Sequence, residues 1–297
     1  MIPQTTIIGS YPLFPNRGKI MQNYFHHYTC DSWKPLIQQV IDDLNTARID
    51  ILSDGQTRDP FVQLFARKLK GCRLRNRVEI IDDIGYTKPI TVDDQRYIQS
   101  FIPQEKQLKG VITGPYTLAK SCIDLYYHDE QEVAFSFAHA LRKEVEEMQS
   151  SVDILGIDEP FFSVSFPEYA RDLIGILTHN ISLPTLLHVC GNVSSVVSKI
   201  FDLPVDTLSH EFKARPDLFD VLQDFSFPQS LCIGCVRSDD TRIEPVQEIT
   251  SHIQNALDLF GEKIQYLSPD CGQRSLPRDV AYHKLDNLVQ AKEALNG

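Results

Sequence analysis

Short apolar runs, often β-branched, recur along the chain, and each is followed by a longer stretch with helical spacing. The runs are TTIIGS (5–10), RIDILSDG (48–55), LKGVITGP (108–115), VDILGIDEP (152–160), LPTLLHVCG (183–191), VDTLSHEF (205–212), SLCIGCV (230–236) and KIQYLSPDCG (263–272). Their apolar character is continuous rather than alternating, which predicts parallel strands covered on both faces. Between them lie amphipathic stretches such as KPLIQQVIDDLNTAR and DEQEVAFSFAHALRKEVEEMQ. In the second, Val133, Phe137, Ala140, Leu141 and Met148 share one helical stripe. The last helix is predicted within LPRDVAYHKLDNLVQAKEAL, with Pro277 near its start, where proline suits a helix entry. Strands and helices alternating in this number predict an α/β fold, a single (β/α)8 TIM barrel over residues 1–297. A doubly wound sheet is the alternative. The section from about 61 to 107 exceeds a simple helical return and reads as an excursion over the barrel mouth.

Nearly every run closes on polar or glycine-rich residues: Gly9-Ser10, Asp54-Gly55-Gln56, Thr113-Gly114-Pro115, Asp158-Glu159-Pro160, His188-x-Cys190, His210-Glu211 and Asp270-Cys271-Gly272. In a barrel these ends converge on one rim, where active sites are built. His188, Cys190, Glu211 and Cys271 are all zinc-ligand types, and four such groups satisfy a tetrahedral site. Residues two apart on a strand share a face, so His188 and Cys190 can both point inward. Spacing alone leaves open the alternative of buried thiols beside an incidental histidine. The CIGC motif, Cys232 to Cys235, lies inside an apolar run where residues three apart face opposite sides. It reads as two packed thiols rather than a metal or redox pair.

Composition narrows the classes. The chain is 42% hydrophobic and 23% charged, as soluble globular proteins are. A net charge of −11 argues against a nucleic-acid partner. No apolar run is long enough to span a membrane, and the first residues lack the basic and apolar regions of a secretory signal. Seven cysteines, an odd number, suit a reducing compartment better than a disulfide framework, so a cytoplasmic protein is expected.

Taken in order, TTIIGSYP, KPITVDDQRYIQSF, GVITGPYTLA, GIDEP, HVCGN, LSHEF, IGCV and SPDCG resemble the motifs of the catalytic half of cobalamin-independent methionine synthase. The likeness covers nearly the whole chain. GPYTLA and the barrel are also similar to the wider uroporphyrinogen decarboxylase and methylcobalamin:coenzyme M methyltransferase relatives, which lack the pairing of Glu211 with PDCG. The resemblance implies one Zn2+ per chain on His188, Cys190, Glu211 and Cys271. It implies homocysteine contacts from Ile8, Gly9 and Ser10, and makes Asp158 the carboxylate that holds the substrate's amino group. Five departures qualify it. Gln56 stands where the long enzymes carry a Glu that contacts the same amino group. The folate-stacking Trp falls near Ser121, and the Arg-Cys pair that contacts folate has only Arg77. The proposed proton-donating His is replaced within RSDDTR, where Asp239 or Asp240 is nearest; Asp240 is the candidate here. The N-terminal duplicate barrel is absent as well. These losses fall on the folate side, so the resemblance implies a zinc-dependent homocysteine methyltransferase of methionine biosynthesis fed by methylcobalamin on a corrinoid protein. The alternatives are methyltetrahydrofolate as donor, a coenzyme M-type thiol acceptor, or a non-catalytic zinc-containing binding protein.

Overall fold

The computed structural model describes residues 3–13 and 31–295. Strands β1 (Gln4–Thr5), β2 (Ile51–Leu52), β5 (Gln107–Thr113), β7 (Ile154–Asp158), β8 (Thr185–His188), β9 (Thr207–His210), β10 (Ser230–Val236) and β11 (Ile264–Pro269) form one eight-stranded sheet. The order is β1-β11-β10-β9-β8-β7-β5-β2, and every pairing in it is parallel. A parallel bridge between Thr6 and Ile51 joins the two ends and closes the barrel. Each of the eight apolar runs supplies one strand. Most strands are shorter than their runs and stop at or before the polar terminal cluster, whereas β10 fills its run from Ser230 to Val236.

Strand alternation divides the buried residues between two layers. Ile8, Ile51, Ile154, Leu186, Cys232 and Tyr266 form a small cluster of their own, set apart from the main core. The main core includes Val133, Phe137, Ala140, Leu141 and Met148 of helix Glu130–Met148, the stripe expected from the sequence. Asp129 caps that helix by accepting from the amide of Glu132. CIGC splits as its spacing requires. Cys232 belongs to the small cluster and Cys235 to the main core, and both are fully buried. Cys30 lies outside the described residues; the other six cysteines are free thiols.

The section expected as an excursion contains helix Phe61–Ala66, an antiparallel hairpin of β3 (Lys70–Leu74) and β4 (Val78–Gly85), and helix Val92–Gln99. β4 also pairs in parallel with β6 (Ile123–Asp124). β6 follows helix Pro115–Ser121, which leaves the C-terminal end of β5, so the hairpin is tied to the side of the barrel where the strands end. Glu144 anchors the return by accepting from the amides of Ile90 and Thr91 and from the Thr91 hydroxyl. Among the described residues, no helix is long and apolar enough to cross a membrane.

Candidate metal centre and substrate pocket

Three of the four expected metal ligands converge. The ligand atoms of His188, Cys190 and Cys271 lie within 4.8 Å of one another. His188 Nε2 is 3.0 Å from Cys190 Sγ, and the two sulfurs are 3.0 Å apart. The other imidazole nitrogen, Nδ1, lies 3.1 Å from Ser209 Oγ, so Nε2 is the nitrogen free to face a metal. This is the outer partner a ligating histidine ordinarily needs. Parallel register places Ser209 opposite His188 on the neighbouring strand. The two thiols divide one proton unequally. The hydrogen bond from Cys190 pulls Cys271 well below the ordinary thiol range, and the same contact holds the Cys190 proton on.

Glu211, the fourth expected ligand, stands beside this group rather than within it. Its carboxyl accepts from the Gly191 backbone, and burial together with the Cys271 charge raises its pKa. Asp270 builds the loop that carries it, accepting from the amides of Lys213 at 2.9 Å and Ala214 at 2.7 Å. Burial pushes the Asp270 carboxyl up to about 7. A Cβ at Gly234 would lie 2.1 Å from Asp270 Oδ1, so only glycine fits there. The Cys271 backbone is fixed from the next strand end: Ser238 Oγ donates to its carbonyl at 2.7 Å and accepts from its amide at 3.0 Å.

The residues expected at the amino-acid end of the substrate meet next to this group. Gly9 has φ +50°, and a Cβ built there would lie 3.2 Å from Asp158 Oδ2 and 3.4 Å from Gln56 Oε1. Ser10 packs against the far side, its Oγ 2.8 Å from a Cβ built at Gly272. Ile8 is buried in the small inner cluster. The Asp158 carboxylate has no hydrogen-bond or ion-pair partner among the described residues, and burial raises its pKa to about 6. Its neighbour Glu159 is raised by burial as well, but differs in its partners. It is fully buried, and it accepts from the Tyr116 amide and from the Thr117 amide and hydroxyl, at 2.9, 2.9 and 2.6 Å. Spacing alone leaves these two acids equivalent, and only the family resemblance favours Asp158. The structure does: Glu159 holds the first turn of helix Pro115–Ser121, and Asp158 is left free to meet a cation. Glu159→Leu should therefore cost about 3 kcal/mol of stability by stranding buried donors. Chemical denaturation at neutral pH checks this, with Asp158→Asn as the contrast: removing a carboxylate that burial disfavours should leave stability no lower than the parent's.

Other residues near the strand ends serve packing. His210 is fully buried with Nδ1 3.2 Å from the Val189 carbonyl, and burial lowers its pKa to about 4. Tyr11 bonds Asp43, Tyr116 bonds Ser165, and His128 is exposed on the loop after β6. Asp240 accepts from the Arg242 amide, a turn within its own loop, and Asp239 is paired with Arg237. Among the described residues, no hydrogen bond or ion pair joins Asp240 to the thiol–imidazole group. Ser209, Ser238 and Asp270 were not singled out individually from sequence. Strand register across from His188 was the available signal for Ser209, whereas the others depend on loop geometry.

Residues 2–294 match the model of the cobalamin-independent synthase catalytic domain. The methionine synthase of Methanocaldococcus jannaschii is 33% identical, with 98% of this chain and 99% of that protein covered. That of Methanothermobacter marburgensis is also 33% identical, over 97% and 98% of the two chains. Among solved structures, a B12-independent methionine synthase from Shewanella sp. W3-18-1, in complex with selenomethionine, superposes with a TM-score of 0.83 at 20% identity, covering 100% of this chain and 98% of that one. That likeness extends the barrel assignment to a known fold. The strand-end motifs and a match over nearly the whole chain together make this protein a member of the cobalamin-independent methionine synthase family, with the family's catalytic barrel.

Proposed function

We propose that this protein transfers a methyl group to the thiol of homocysteine, forming methionine, with one Zn2+ held by His188, Cys190 and Cys271. The observation that carries the reading is a juxtaposition. Two thiols and an oriented imidazole converge beside a carboxylate that has no hydrogen-bond or ion-pair partner among the described residues. The donor set suits zinc, since thiolates and imidazole are its preferred ligands. Glu211 is the candidate fourth ligand, held close by the Gly191 backbone. A free thiol has a pKa of about 8.5, and zinc bound here would supply the charge that keeps a substrate sulfur deprotonated at neutral pH.

The protein's own residues do the rest. Asp158 pairs with the substrate ammonium, and Gln56 Oε1 offers a second acceptor on the same side. Ser209 fixes the His188 ring, Ser238 fixes Cys271, and Asp270 fixes the loop bearing Glu211. Holding the thiol in place removes orientational freedom before transfer. Asp240 has no place in this scheme beyond shaping its loop. The six described cysteines, all free thiols, suit the reducing cytoplasm as its location.

Two observations bear on the methyl donor and point in opposite directions. The family designation, cobalamin-independent, speaks for methyltetrahydrofolate and against the corrinoid protein expected from sequence. Ser121, where the folate-stacking ring was expected, offers no ring, and its carbonyl accepts from Arg77 at 2.8 Å. A parallel assay decides: zinc-loaded protein with homocysteine and either methyltetrahydrofolate or methylcobalamin, with coenzyme M as competing acceptor. Methionine is the expected product. Methylation of coenzyme M alone, or of neither thiol with either donor, would overturn the function proposed.

A further inference from the structure

We propose that Gln273, together with Gln56, reads the α-carboxylate of the thiol substrate and so makes the pocket selective for α-amino-acid thiols. This rests on the homocysteine reading and extends it to Gln273, which neither the motifs nor the metal chemistry assign, and to the amide nitrogen of Gln56. Four consecutive residues form a strap from the metal group to the amino-acid pocket. Cys271 supplies a thiol to the cluster. Gly272 packs on Ser10, and the Gln273 amide donates to the Ser10 carbonyl at 2.7 Å. Arg274 Nη1 donates to the Gln56 carbonyl at 3.0 Å.

Within this strap the Gln273 side chain is 2% exposed, yet neither its Nε2 nor its Oε1 has a hydrogen-bond partner among the described residues. Gln56 is equally buried, and its Nε2 is also without a partner. Buried amides are almost always satisfied, because leaving one unpaired is costly. Gln56 also adopts φ +47°, a conformation rare outside glycine that persists at functional sites. Its Oε1 and Asp158 Oδ2 approach the same point beside Gly9, which suits an ammonium between two acceptors. The nitrogen of the same amide then remains to donate, as does that of Gln273. An α-carboxylate is the group that both donors fit, being the anion that accompanies an α-ammonium. A Glu at position 56 would provide the acceptor but no donor, and would add a second negative charge. Thiols lacking the ammonium, such as an alkyl sulfonate thiol, would meet Asp158 unpaired.

Calorimetric titration of the zinc-loaded protein tests this, using L-homocysteine and its carboxylate-free analogue, aminopropanethiol. Zinc per chain is measured in every variant. Gln273→Leu should weaken homocysteine binding by about tenfold or more, the effect of losing a hydrogen bond to a charged group, and leave the analogue within about twofold. The isosteric Gln273→Glu, which preserves packing where the leucine variant fails to fold, should weaken homocysteine further and spare the analogue. Unchanged homocysteine binding, or equal weakening of both thiols, would overturn the proposal. Failure of the wild type to form methionine would instead strike the function proposed above, while the binding comparison would still read the carboxylate contact.

Discussion

Cys271→Ser is expected to lose bound zinc and to lower methyl transfer at least about a hundredfold, whereas Cys232→Ser keeps both. Cys271 is the thiol of the coupled pair that ionises first, favoured by Cys190 and His188 on either side. A serine hydroxyl does not ionise in that range, so the substitution removes one of the two thiolate donors and leaves Cys190 without the partner it bonds. Cys232 lies elsewhere in the barrel, where its thiol donates to Ser268 Oγ at 3.3 Å and burial raises its pKa. Replacing it should cost about 1 kcal/mol of stability and no metal. Metal analysis beside activity separates the two. Zinc retained by the serine at 271 and lost by the serine at 232 would reverse the assignment.

Asp158→Asn should raise the homocysteine KM by about ten- to a hundredfold while leaving zinc content at one per chain. In the proposed function this carboxylate pairs with the substrate ammonium, and an amide retains the shape but not the charge. The pH profile gives an independent reading. The free carboxyl is raised from 3.8 to about 6, chiefly by burial, so its ionised form is the one the fold disfavours. Ammonium binding requires that form, so affinity should fall as pH drops through about 6. The midpoint should move lower when zinc and substrate are bound, since both positive charges favour the anion. Linkage also fixes the sign for stability: a raised acid loses stability as pH climbs from 3.8 towards about 6, and the asparagine variant should not. A variant that keeps the wild-type KM and pH profile would place the ammonium elsewhere.

Much of the barrel was legible because its strands are buried on both faces and therefore read as unbroken apolar runs ending in polar clusters. The same endings put His188, Cys190, Cys271, Gly9 and the Asp158-Glu159 pair on one rim, since a strand end in a parallel barrel has only one rim to reach. What spacing alone could not separate was Asp158 from Glu159. Adjacent residues on a strand point opposite ways, and only the neighbouring helix start shows which acid is occupied. Glu211 was legible as a candidate, but its position beside rather than within the thiol–imidazole group depends on a loop fixed by Asp270. Asp240 illustrates the converse. An acidic residue near the right strand end satisfies a backbone amide of its own turn, which residue type alone does not reveal. Gln273 carried no signal at all, because an unpaired buried amide is a property of packing, not of spacing.

X-ray absorption at the zinc edge, with and without L-homocysteine, is the most direct test of the account. It predicts scattering from two protein sulfurs and a histidine nitrogen in the zinc-loaded protein, with one further sulfur when homocysteine is added. A zinc environment without sulfur, or one whose scatterers are unchanged by homocysteine, would contradict it.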